Sequence, residues 1–181
     1  MSDSVVLLNG VPGAGKTTLA TPLARQLGVP LIGKDAIKES LADLVSQPLP
    51  TSQLGALASD VMWSLAALVD GVVIVESFWA TGRDEKFLRA GLCRAGAGRA
   101  VEVWCEVPIG VARERFLTRE RHPAHKDAER LAEWEAVAAV ARPCSGQPTL
   151  PVRTDAIVNV ALLVERIRAL LDDESARLPA A

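Results

Sequence analysis

The sequence predicts an α/β protein: a parallel sheet with helices covering both faces. Three observations predict it. Short apolar runs recur at Val5–Leu8, Val72–Val75 and Ala100–Cys105. Segments of helical period lie between them, and glycine or proline punctuates most junctions. Apolar runs without alternation read as strands buried on both faces, which is the habit of parallel sheets. Strands alternating with helices imply right-handed βαβ units. In such sheets ligands bind outside the carboxyl ends of the strands, so the polar residues that follow each strand carry the functional information.

In chain order, Val5–Leu8 ends in Asn9-Gly10, the first strand and its exit turn. Thr17–Leu27 places Leu19, Leu23 and Leu27 on one face and stops at Gly28, so it is the first helix. Pro30–Ile32 is a brief second strand and Ala36–Val45 a second helix, broken by Gln47-Pro48-Leu49-Pro50. Thr51–Val69 is strongly helical, and Asp70-Gly71 turns into the third strand, Val72–Val75. Asp84–Arg94 is helical, Ala100–Cys105 is the fourth strand, and Pro108 opens a helix running to about Arg121. Lys126–Ala141 is helical, Leu150–Arg153 is the last strand, and Val158–Leu171 is a closing amphipathic helix. The tail from Asp173 to Ala181 reads as frayed.

At 181 residues the expectation is one domain spanning 1–181. A net charge of −2 gives no general attraction to nucleic acid or to anionic membrane, so any anion site must be built locally. Cys93, Cys105 and Cys144 are odd in number and irregularly spaced, which fits a reduced cytoplasmic protein and no disulfide framework. No basic n-region and no long apolar stretch suggests export or membrane insertion. A soluble monomer or homodimer is expected.

Gly10-Val11-Pro12-Gly13-Ala14-Gly15-Lys16-Thr17 matches G-x-x-x-x-G-K-[ST] between the first strand and the first helix, the setting the motif requires. Glycines let the backbone curl so that successive N–H groups meet phosphate oxygens, and the helix N-terminus adds positive potential. Lys16 is expected to reach the β- and γ-phosphates and Thr17 to ligate magnesium. A chance match has odds on the order of one in a few hundred, so the loop carries more weight than any other feature of the chain.

Asp35 follows the second strand in Gly33-Lys34-Asp35-Ala36. It reads either as a helix N-cap or as the base that accepts a hydroxyl proton, and the two roles are compatible. Glu76, ending the third strand, suits a magnesium shell in the manner of a Walker B acid, or an acceptor contact. Ser77 and Arg83 are further acceptor candidates. The stretch Arg113–Pro123 concentrates positive charge. On a continuous helix Arg115 and Arg119 lie about 40° apart on one face, whereas Arg113 and Arg121 fall on the other side among Glu–Arg pairs. An arginine closing over a transferring phosphoryl group lowers its barrier, which makes Arg115 and Arg119 the catalytic candidates. His122, His125 and Asp127 read as a lid turn with capping side chains in preference to a metal site.

Gly10–Thr18, Asp35-Ala36-Ile37-Lys38-Glu39 and Arg115–Asp127 together resemble the P-loop kinases related to chloramphenicol phosphotransferase, shikimate kinase and the zeta toxins, in particular their "ATP-binding protein" group. The resemblance covers nearly the whole chain. It implies a three-layer P-loop fold with a five-stranded parallel sheet ordered 2-3-1-4-5, an acceptor-binding helical insertion over about 36–70, and a mobile lid over about 115–130. It implies ATP and Mg2+ as cofactors, with Gly10, Gly13, Ala14, Gly15, Lys16, Thr17 and Thr18 around the phosphates. Asp35 matches the position beside the acceptor hydroxyl. One lid arginine is expected over the adenine, and Arg153 and Asp155, after the last strand, stand where such kinases wrap that ring.

The insertion brings Leu54, Leu57, Met62, Trp63 and Leu65 but no arginine, and only Lys34, Lys38 and Arg83 are near. Most of these apolar residues belong to the core, with Trp63 and Lys38 as acceptor contacts. A nucleoside monophosphate would ask for more cations, so an antibiotic-like alcohol or a sugar derivative is expected. The alternatives are a nucleoside or nucleotide kinase, or a regulatory protein that binds ATP and turns it over slowly. The chain has no N-K-x-D guanine motif.

Overall fold

The computed structural model describes residues 2–45, 47, 49–125 and 130–178. Five parallel strands form one sheet: β1 (Ser2–Asn9), β2 (Leu31–Gly33), β3 (Gly71–Glu76), β4 (Arg99–Glu106) and β5 (Thr149–Arg153). Their order is β2-β3-β1-β4-β5, as the resemblance implied. The helices are α1 (Lys16–Leu27), α2 (Lys34–Asp43), α3 (Thr51–Ala66), α4 (Glu85–Ala95), α5 (Ile109–Thr118), α6 (Leu131–Ala138) and α7 (Val160–Asp172).

The strand at the centre carries an unbroken apolar run, because both faces of the sheet are covered there. Val5, Val6, Leu7 and Leu8 are all fully buried, and successive side chains go to opposite layers. Val6 and Leu8 join Leu19 and Leu23 of α1 and Leu163 and Ile167 of α7. Val5 and Leu7 join Met62 and Trp63 of α3 and Leu88 and Leu92 of α4. At about 25 cal/mol per Å² of apolar surface removed from water, these two layers supply the main drive to fold. Asn159 caps α7 by accepting from Leu162 N at 3.1 Å.

Buried Glu102 ties the sheet to the loop before β5. It accepts from Asn9 Nδ2 at 2.8 Å, Cys144 N at 3.2 Å and Ser145 N at 2.9 Å. Its neighbour Asn9 accepts at Oδ1 from the backbone N–H groups of Gly10, at 2.8 Å, and Trp79, at 3.1 Å. One buried polar cluster thus fixes where the chain leaves both β1 and β3.

Several boundaries differ from the sequence reading. The helix after Pro108 ends at Thr118 and Arg119 is extended, so the predicted helical face does not reach Arg121. Of the helix expected over 126–141, α6 covers Leu131–Ala138; Lys126 and Asp127 lie outside the described residues. The tail is docked up to Leu178, not frayed: Ala176 is fully buried, Arg177 bridges to Arg99, and Leu178 N donates to Gly98 O at 2.9 Å. Pro179 to Ala181 also lie outside the described residues.

Candidate active site

The carboxyl ends of the strands open onto one cleft of about 890 Å³. The phosphate loop forms its floor. Gly13 has φ 94°, and a Cβ there would sit 2.2 Å from Ala112 O, so only glycine fits against α5. Gly15, at φ 76°, is the N-cap of α1 and contributes no side-chain cap. The first-turn amides of that helix are therefore left to an anion. Loop carbonyls are held by outside donors: Trp134 Nε1 reaches Pro12 O at 3.0 Å and Thr154 Oγ1 reaches Ala14 O at 2.6 Å. The Lys16 ammonium donates to Gly10 O at 2.7 Å and Val11 O at 3.3 Å.

At the end of β3, Glu76 is buried and accepts from Thr17 Oγ1 at 3.2 and 3.3 Å. Gly33, at the end of β2, leaves room for this carboxylate, since a Cβ there would lie 3.2 Å from Glu76 Oε2. Burial raises the Glu76 carboxyl above its ordinary value, opposed by Lys16 and by the Thr17 hydrogen bond. Burial also lowers Lys16, opposed by Glu76 and Asp35. A triphosphate brought to the loop would add negative charge beside Lys16 and oppose that fall further.

Asp35 is not an N-cap. The cap of α2 is Gly33, and Asp35 lies in the first helical turn. Its carboxylate pairs with Arg121, which the sequence placed on the far side of a longer helix. Burial pushes the Asp35 carboxyl up, but Arg121, His125 and Lys16 outweigh it and hold it below the ordinary carboxylate value. Arg121 Nη2 also meets His125 Nε2 at 3.2 Å, and that ring lies 2.8 Å from Glu39 Oε1. His122 Nε2 lies 2.9 Å from Asp43 Oδ1. Asp35, Glu39 and Asp43 are four apart, so one stripe of α2 engages the segment 121–125 along its length.

Trp63 and Trp79 line the cleft, ring centroids 6.1 Å apart. Gly91 of α4 makes this possible, because a Cβ there would fall 2.0 Å from Trp63 Cε2. Lys34, Lys38, Ser77, Arg83 and Arg115 border the same cleft, as do Thr18 and Arg119. Arg119 lies 5.3 Å over the Phe116 ring, which stacks on Trp134 at 5.4 Å. Arg153 and Asp155 pair with each other at 2.6 Å, and Arg153 is exposed and borders a separate shallow pocket beside Trp104. The cations around the cleft exceed the three expected near the acceptor: Arg94, Arg121 and Arg130 line it too. Sequence reasoning missed Arg121, Arg130, Trp79 and Thr154. The only signal for Arg121 was Pro123, which argues for an early helix end.

The AAA_33 family, described as AAA domain, matches residues 5–143. The shikimate kinase of Ruegeria pomeroyi is 28% identical over 167 residues, covering 92% of this chain and 84% of that protein. A crystal structure described as a "putative kinase" of Chloroflexus aurantiacus superposes with TM-score 0.79 at 27% identity, covering 95% of this chain and all of that one, 100%. The APS kinase of Mycobacterium tuberculosis, in complex with AMPPNP and APS, has TM-score 0.62 at 19% identity, covering 94% and 98%.

Proposed function

The chain belongs to the AAA_33 family of AAA domains, and from that premise we propose an ATP- and magnesium-dependent phosphotransferase that moves the γ-phosphoryl group onto a hydroxyl of a small molecule. The observation that carries this reading is convergence. The phosphate loop, the Thr17–Glu76 pair and Asp35 border one cleft, and Lys16 is electrostatically coupled to both acids. The shikimate kinase relative and the nucleotide-bound APS kinase neighbour support it.

In this reading residues 10–18 surround the triphosphate, with N–H groups of the loop and the Lys16 ammonium donating to it. The Thr17 hydroxyl and the Glu76 carboxylate are hard oxygen donors that fit a magnesium ion, which when bound would neutralise charge between the β- and γ-phosphates. Asp35, kept ionised, orients the acceptor hydroxyl and takes its proton as the new oxygen–phosphorus bond forms and ADP departs. A loose transition state asks little of the base, so a depressed carboxyl still serves. Arg115 and Arg119 close over the phosphoryl oxygens as parts of a lid over about 115–130, of which residues 126–129 lie outside the described residues. Residues of about 36–70 form the acceptor side, where the Trp63 and Trp79 rings suit a ring-bearing alcohol such as a sugar derivative or an antibiotic-like molecule. The protein works in the cytoplasm.

Asp35→Asn tests the base. Nucleotide binding should survive, while acceptor-stimulated ADP release falls about 100-fold or more. Unchanged turnover would remove Asp35 from the mechanism.

A further inference from the structure

We propose that the acceptor carries an oxyanion, a carboxylate or a phosphate, that seats on Lys34 and Lys38 beside Asp35. The inference rests on the phosphotransferase reading and names the class of its acceptor.

Lys38 is 5% exposed, yet it faces the cleft. Among the described residues its hydrogen bond goes to Thr51 Oγ1 at 3.4 Å, a neutral acceptor whose own proton goes to Ala124 O. A buried ammonium without a counter-ion is costly. Lys34 stands one helical turn earlier on α2 and borders the same cleft, so the two amines share a face.

The neighbouring carboxylates are already engaged. Asp35 pairs with Arg121, and Glu39 lies 2.8 Å from His125. Asp84 is 2.9 Å from Arg83, while Glu133 meets Arg83 at 3.3 Å and Arg130 at 2.9 Å. Among the described residues this leaves Lys34 and Lys38 with no carboxylate at hydrogen-bond range. Burial lowers the pKa of both amines; Arg130 adds to the fall at Lys38, while Asp35 opposes it at both and Asp84 at Lys34 without touching either amine. A ligand oxyanion supplies the missing charge, and Asp35, one residue from Lys34, then meets a hydroxyl of the same molecule. A neutral alcohol would leave both amines without an anion in hydrogen-bond contact.

The test follows binding by thermal shift and calorimetry, with and without saturating Mg–AMPPNP. The probes are inorganic phosphate, gluconate and, as the neutral control, glucose. Nucleotide keeps phosphate off the loop. In wild-type protein both oxyanions should bind and glucose should not. Lys34→Met or Lys38→Met should weaken oxyanion binding about tenfold or more, and Lys38→Arg should restore much of it. The stronger of phosphate and gluconate then assigns a phosphorylated or a carboxylic acceptor. Absence of oxyanion binding in wild type, or binding unchanged in both methionine variants, overturns the proposal. Lys34, half-buried in the first turn, keeps the test decisive should Lys38→Met fail to fold by circular dichroism. Failure of the phosphotransferase reading looks different: Mg–AMPPNP itself gives no signal, while the gluconate titration run without nucleotide still reports on the two lysines.

Discussion

At the scale of single residues, the proposed chemistry turns on the pairing of Asp35 with Arg121. A carboxylate paired with a guanidinium stays ionised at neutral pH but is a weak base, so the pair trades proton affinity for position. Arg121→Met removes the strongest influence lowering the Asp35 carboxyl, against which burial pushes upward. The acidic limb of the turnover–pH profile should therefore move to higher pH, and turnover at the optimum should fall. Identical profiles for variant and wild type would mean that Arg121 is a surface arginine after all, as its spacing in the sequence suggested. Glu76 and Thr17 were legible as single residues because a strand end and a motif position are local facts. The Asp35–Arg121 pair was not, since the partners stand 86 positions apart and their meeting depends on where α5 stops.

At the scale of elements, the stripe of α2 holds the segment after α5 through Arg121, His125 and His122. Burial lowers the His125 pKa below its ordinary 6.5; Arg121 and Lys38 act in the same direction, and Asp35 and Glu39 oppose them. The unfolded chain therefore takes up a proton near 6.5 while the folded chain resists it. Stability from this group is complete above that value and is lost as pH falls toward the lowered one. Asp35, depressed from 3.8, acts with the same sign in a separate, more acidic window. The urea midpoint should fall between about pH 7.5 and about pH 5.5, and His125→Gln should flatten that slope. An equal slope in the variant would show that His125 is not the responsible group. The element pattern itself was readable wherever periodicity was strong, as in α1, α3 and α7. It failed at α5, where charged residues continue past Thr118 without a helix beneath them, and at α2, which starts at Lys34 because Gly33 supplies the extended cap.

At the scale of the whole molecule, a central strand with no solvent face sets the site. β1 is buried from Ser4 to Asn9, and its exit turn emerges at the carboxyl edge of the sheet, where β3 delivers Glu76 and β2 delivers α2 with Asp35. This much followed from the Val5–Leu8 run and the glycine motif behind it. The docking of residues up to Leu178 did not, because a buried Ala176 and a bridge to Arg99 are long-range facts that leave no local pattern. The cationic rim of the cleft was likewise hidden, with Arg94, Arg121 and Arg130 arriving from three separate segments. The claim on which everything else stands is that residues 10–17 grip a triphosphate. Isothermal titration of Mg–AMPPNP into wild-type protein and Lys16→Ala measures it directly. Saturable binding with one nucleotide per chain, weakened about 100-fold in the variant, is the predicted result. No heat from folded wild-type protein, or superimposable isotherms for the two proteins, would contradict it.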